Sequence, residues 1–358
     1  MRSRSSIEVY DVGSLPPPAD MRRIEEGARG GEDWEYFSSA VVRGLLDKIR
    51  AGADLPNFPQ YRDMIEMFLE LVKGVGRSEE GFTVEEPLRI RGHGIIPEVK
   101  AIEENAKEIS EEIGGPIRLK ICLTGPYALS YYFSKWVDRR WLIEELGNVL
   151  SEIASRNVIS GPYLRVEMVS VDEPLVGVVD DPMLDRGGEL REILISSLGR
   201  IFRACRSRGA TTCIHLHSTS NPLFWEVEDL EVVESHVGDP LYSSRYFRRV
   251  LEDRDMFVKV SLAMTDFDRL VSEAAGGPEE AAECWRRIRK GELDPSRFLE
   301  PVDLMVRRLE RAIDVLGEER VRYAGPECGM RGFPTYESAL ECLRRCSEAV
   351  RLVAQRER

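Results

Sequence analysis

The chain has four histidines, and two of them close one β-rich run, Cys213-Ile214-His215-Leu216-His217. Residues two apart on a strand face the same way, so Cys213, His215 and His217 are expected on one face. The next apolar run, 230–237, carries Glu234 near its end and His236 two residues further. A later run ends Ala324-Gly325-Pro326-Glu327-Cys328-Gly329. If these three ends converge, they offer nitrogen, oxygen and sulfur donors suited to zinc. The same residues also fit ordinary hydrogen-bonded histidines and a buried thiol, because the donors are widely separated in sequence and form no compact cysteine pair.

Other ends of runs carry weaker signals. Val12-Gly13-Ser14-Leu15-Pro16 pairs a glycine, which permits close backbone approach, with a hydroxyl and an N–H that could hold an anion; it is equally a turn into a loop. In Ser170-Val171-Asp172-Glu173-Pro174 the adjacent acids must point to opposite faces. Asp172 could bind an ammonium group, or the pair could be solvated. The stretch 57–64 gathers aromatic, amide and charged groups, and Arg62 and Asp63 could pair structurally. His93, between two glycines, is expected to be structural, and Cys342 and Cys346, one helical turn apart, are expected to be core. No GxGxxG, P-loop or GxSxG pattern is present.

These residues need strands to present them. Short β-branched runs alternate with amphipathic helices along the chain. Strands are predicted at 7–12, 53–58 (a weak one), 118–124, 163–171, 211–217, 230–237, 256–264 and 320–325. Helical patterns end at Gly52 and Gly209, the usual place for glycine, and a last helix opens after Thr335. Eight β-α units favour a parallel (β/α)8 TIM barrel of one domain, residues 1–358, with an inserted hairpin near residues 80–100, in the segment 82–99. In such barrels the site lies at the C-terminal ends of the strands.

Composition narrows the function classes. Asp and Glu number 63 against 50 Lys and Arg, a formal net charge of -13, which disfavours nucleic acid and anionic membrane surfaces as partners. Hydrophobic residues at 42% are enough for a large core. The start turns acidic before any apolar run, no segment is long enough to span a bilayer, and seven cysteines read as thiols rather than a disulfide framework. A cytoplasmic location is expected.

Taken in order, V-G-S-L-P, R-D-M, V-D-E-P, H-x-H and a terminal E-C-G-M-R before a long helix resemble cobalamin-independent methionine synthase. More closely, the chain looks like the short archaeal core homologues of its catalytic half, in the superfamily shared with uroporphyrinogen decarboxylase. The resemblance spans residues 7–352 and implies a (β/α)8 barrel that moves a methyl group to a thiol with zinc. It further implies His215, His217, Glu234 and Cys328 as zinc ligands. Homocysteine would be the acceptor, its carboxylate on Val12, Gly13 and Ser14 and its amino group on Asp172. His217 stands where the family has cysteine, with Cys213 as a substitute two residues earlier. Gln60 stands in the substrate-binding position where the family has an acid. The family's proton-donating histidine has no counterpart in Met264-Thr265-Asp266-Phe267-Asp268. A methyl-folate leaving group needs a proton donor and a corrinoid one does not. The implied methyl donor is therefore a methylated corrinoid, on a partner corrinoid protein. Alternative expectations are a methyltransferase for a different thiol and a non-catalytic barrel acting as a binding partner. Tetrapyrrole decarboxylation fits least, because the arginine-rich N-terminal motif it uses is missing.

Overall fold

The computed structural model describes residues 7–17 and 20–356; the start read at 1–6 lies outside the described residues. Among these the strands are β1 Glu8–Val9, β2 Val72–Ser78, β3 Gly81–Ile90, β4 Ile117–Thr124, β5 Leu164–Asp172, β6 Thr211–His215, β7 Val232–Glu234, β8 Phe257–Ala263 and β9 Val321–Pro326. The chain divides into two compact units, Met1–Tyr61 with His236–Arg358, and Arg62–Ser235.

In the unit built from both ends of the chain, β1, β9 and β8 lie side by side and parallel. The helix Val302–Leu316 buries Met305, Val306, Leu309, Ala312 and Leu316, a three-and-four spacing that puts one apolar stripe against β8 and the helix Tyr336–Arg356. Thr335 caps that last helix by accepting the Ser338 N–H at 3.1 Å, as its sequence position predicts. Cys342 and Cys346 are buried in it. The hydrogen bond to Cys346, with burial, lifts the Cys342 thiol well above its usual range, which fits a core role.

The weak strand expected at 53–58 is not a strand. Pro56 interrupts it and Pro59 follows just beyond it, and proline removes a ladder donor. The segment nevertheless runs beside β1 through single contacts. Asp54 and Leu55 donate to the Val9 carbonyl at 2.8 and 3.2 Å, Gln60 N–H bonds Gly13 O at 3.2 Å, and Leu15 N–H bonds Gln60 O at 3.2 Å. Seven parallel strands are thus formed among the described residues, with irregular backbone where an eighth was expected.

In the unit Arg62–Ser235, parallel strands run in the order β7-β6-β5-β4. They read as nearly continuous apolar runs, as strands covered on both faces do. Helices Arg139–Asn157 and Glu189–Arg206 pack on one another, the second burying Leu190, Leu194, Leu198, Ile201, Phe202 and Cys205. β2 and β3 form an antiparallel hairpin. It begins upstream of the segment 82–99, at Val72, and from Pro97 onward the chain is helical.

Candidate functional site

The parallel register of the unit Arg62–Ser235 aligns four side chains into one row across four strands. Thr124 on β4 pairs with Asp172 on β5, Asp172 with His215 on β6, and His215 with Glu234 on β7. All four close their strands, so the row marks the C-terminal edge of the sheet. The ladder continues past it: Gly125 N–H donates to Asp172 O at 2.9 Å, Glu173 N–H to His215 O at 2.9 Å, and Leu216 N–H to Glu234 O at 3.0 Å. Backbone bonding therefore fixes the row on both sides.

The row holds two of the four residues expected to bind metal, His215 and Glu234, and a third, His217, lies just beyond it. His215 is 2% exposed and Glu234 fully buried, with His215 Nδ1 3.3 Å from Glu234 Oε1. β6 ends at His215, so His217 lies past the strand, half-buried; its ring still stacks edge-on against His215 at 5.4 Å. Two imidazoles and a carboxylate in this arrangement could hold a metal ion. Cys213 is fully buried two rows deeper, on the same face, opposite Ser170 and Val232.

Both acids of the V-D-E-P stretch are used, in opposite ways. Asp172 turns inward, where Ser170 Oγ donates to it at 2.8 Å. Burial raises its pKa, while the charges of His215 and Lys120 oppose the rise. Glu173 turns outward and accepts the N–H groups of Tyr127 and Ala128, both at 2.8 Å, tying β5 to the start of the helix Pro126–Ser130. Full burial pushes its carboxyl up to about 8 despite those two bonds.

Lys120 was not foreseen. It is fully buried on β4. Burial alone would lower its pKa, yet the charges of Glu234 and Asp172 hold it above the ordinary value, so it carries a fixed positive charge that compensates the acids of the row. Arg62 and Asp63 are structural, but not as a pair. Arg62 makes a two-pronged bond to Glu98 at 2.9 and 3.0 Å, and Asp63 caps Ile65 and Glu66. His93 is exposed and contributes only its carbonyl, to Arg156.

In the unit built from both chain ends, Val12, Gly13, Ser14, Gln60 and Cys328 fall in one neighbourhood. Gly13 has φ of 148°, a region L-residues avoid, and the turn it makes is held from below by Lys48. The Lys48 ammonium bonds Asp11 Oδ2 at 2.5 Å, Gly13 O at 2.7 Å and Asn57 O at 3.1 Å. Ser14 pairs with Gln60 by a parallel bridge, and its carbonyl accepts Met330 N–H at 2.9 Å. The Ser14 turn is thereby fastened to the residues that follow Cys328.

Glu327 completes this half. Its carboxylate accepts Val237 N–H at 2.8 Å and Thr265 N–H at 2.9 Å, and its own N–H bonds Ala263 O at 2.9 Å. It pins the segment carrying His236, and the loop after β8, to the residue before Cys328. Lys259, fully buried, bonds Pro326 O at 2.5 Å. A compositional signal for these cations existed. The chain has 42 arginines and only eight lysines, and Lys48, Lys120 and Lys259 are all fully buried. A slim ammonium can be satisfied by three acceptors in a narrow interior, whereas a guanidinium fork asks for five.

No protein-family model matches this chain, and no curated protein matches its sequence. Solved structures do. A B12-independent methionine synthase from Shewanella sp. W3-18-1, in complex with selenomethionine, superposes with a TM-score of 0.65 at 15% identity, over 98% of this chain and 99% of that one. A methyltransferase from Methanosarcina mazei gives a TM-score of 0.56 at 12% identity, over 96% and 94%. At such identities the likeness is one of fold, and it extends over nearly the whole of each chain: this protein is built on the same α/β fold as these two transferases.

Proposed function

We propose that this protein is a zinc-dependent methyltransferase whose acceptor is a thiol, with residues 1–358 acting as one catalytic domain. The observation that carries the reading is the row Thr124–Asp172–His215–Glu234 at the C-terminal edge of the sheet, together with its fold likeness to a methionine synthase.

His215, His217, Glu234 and Cys328 are the proposed ligands. A second set is favoured by the 3.3 Å contact of His215 Nδ1 with Glu234. In it the carboxylate orients His215 from behind, as carboxylates commonly do for metal-binding histidines. His215 and His217, whose rings lie 5.4 Å apart, are then ligands and Glu234 is not. Bound there, zinc would supply the Lewis acidity that lets a thiol lose its proton near neutral pH.

The chain's own residues do the rest. Asp172, kept inward by Ser170, accepts the ammonium of an amino-acid substrate. The turn Val12-Gly13-Ser14, set by Lys48, receives its carboxylate beside Gln60. Lys120 keeps the acids of the row from repelling one another. Homocysteine meets these requirements and is the proposed acceptor. With no histidine in 264–268 to protonate a folate, a methylated corrinoid is the proposed donor.

Metal analysis of protein purified without chelators tests the core of this reading. About one zinc per chain is expected, largely lost in Cys328→Ala and His215→Ala. Loss of methyl from methylcobalamin should depend on homocysteine. Faster reaction with another thiol would redirect the acceptor. Absence of metal after zinc is added back would leave a binding protein of the same fold.

A further inference from the structure

The helix Val302–Leu316 carries a second stripe besides its buried one. Leu304, Arg307, Arg308 and Arg311 recur at three and four residues and line a cavity of about 660 Å³ in the unit built from both chain ends. The opposite walls come from the loop after β7, including Val237, Gly238 and Tyr242, and from Val260 and Ser261 of β8. That volume lies within the range of small-molecule sites.

Most arginines here face an acid, and Arg308 does so, with both guanidinium nitrogens on Glu300 at 2.6 and 2.7 Å. Arg307 and Arg311 are exposed and form no ion pair among the described residues. In a chain of net charge -13, these two guanidiniums one turn apart give the cavity wall a local positive charge. Asp239 also lines the cavity, but it is almost buried and its Oδ1 is taken by the Leu241 N–H at 2.8 Å. The remaining walls are fixed: Tyr242 Oη bonds Lys259 O at 3.1 Å, and Val237 N–H is held by Glu327.

We propose that this cavity binds a small organic phosphate. Its phosphate group sits on Arg307 and Arg311, and its apolar body lies against Val237, Val260, Leu304 and Tyr242. Guanidinium forks match phosphate oxygens bidentately. A group of charge near −2 neutralises both arginines, whereas a monocarboxylate leaves one uncompensated.

Calorimetric titration of the full-length chain with phenyl phosphate, phenylacetate and inorganic phosphate tests the site. Phenyl phosphate is expected to bind saturably at one site per chain and at least tenfold more tightly than either other probe. Arg307→Gln/Arg311→Gln is expected to weaken it at least tenfold. Leu304→Trp, which fills the cavity and keeps the charges, is expected to abolish it. Cys328→Ala should bind as wild type, which separates this site from the proposed metal centre. No saturable binding, equal binding of inorganic phosphate, or wild-type affinity in both cavity variants would overturn the proposal. Both substitutions lie on the outer stripe of the helix, and unchanged circular dichroism will show that the variants are folded.

Discussion

Among single residues, Glu173 makes the clearest prediction. Its carboxyl titrates near 8 in the folded chain against an ordinary value of 4.5. Between these values the folded protein keeps a proton that the unfolded chain has released. Its contribution to stability is therefore intact below about pH 4.5 and is lost as pH rises through about 8, by up to about 1.4 kcal/mol per pH unit. Urea unfolding at several pH values from 4.5 to 8.5 should show this decline, and Glu173→Gln should flatten it. An unchanged pH profile in the variant would assign the decline to other groups. The pair of acids was visible in the sequence, including that they must face opposite ways. Which one faces inward depended on Tyr127 and Ala128, some 45 residues earlier, and no local pattern encodes that.

For the secondary-structure elements, the close approach of β9 to the end of β1 sets the tolerance of the site. A Cβ at Gly325 would lie 2.0 Å from the Tyr10 carbonyl oxygen. That is a backbone atom one residue past the short strand β1, which cannot step aside without breaking the Tyr10 N–H bond to Ala324 O at 3.1 Å. Gly325→Ala is expected to cost about 1–3 kcal/mol in urea unfolding and, on the proposed function, to weaken homocysteine binding, because only Asp11 separates Tyr10 from the proposed carboxylate turn Val12-Gly13-Ser14. A variant of wild-type stability would show that β1 can be displaced freely. The positions of β4, β5, β6, β8 and β9 were legible because parallel strands announce themselves as apolar runs. The segment 53–58 misled because apolar residues around Pro56 share a strand's composition but lack one of its donors.

The whole molecule carries its acidity unevenly compensated. Many ion pairs are exposed and between residues three or four apart, and such pairs contribute little and are screened by salt. Net self-repulsion at -13 is screened as well, and it acts over longer distances. Raising sodium chloride from about 10 to 200 mM, across which the screening length falls from about 30 to under 10 Å, is therefore expected to raise the melting temperature by about 1–3 °C. A fall would mean that the exposed pairs outweigh the repulsion. No helix among the described residues is long and apolar enough to cross a membrane.

The sequence by itself determined which residues could do chemistry and roughly where they sit along the chain. His215, Glu234, Asp172 and Cys328 are reactive types at the ends of apolar runs, and periodicity locates such ends. Tertiary structure alone decided the register that sets Thr124, Asp172, His215 and Glu234 in one row. A shift of one residue on any strand would turn its member to the other face, and pairing over such separations leaves no local mark. It also decided the burial of Lys48, Lys120 and Lys259. A lysine in an amphipathic helix or a strand looks the same in sequence whether its ammonium meets water or three carbonyl and carboxylate oxygens, and only the folded neighbours supply those oxygens.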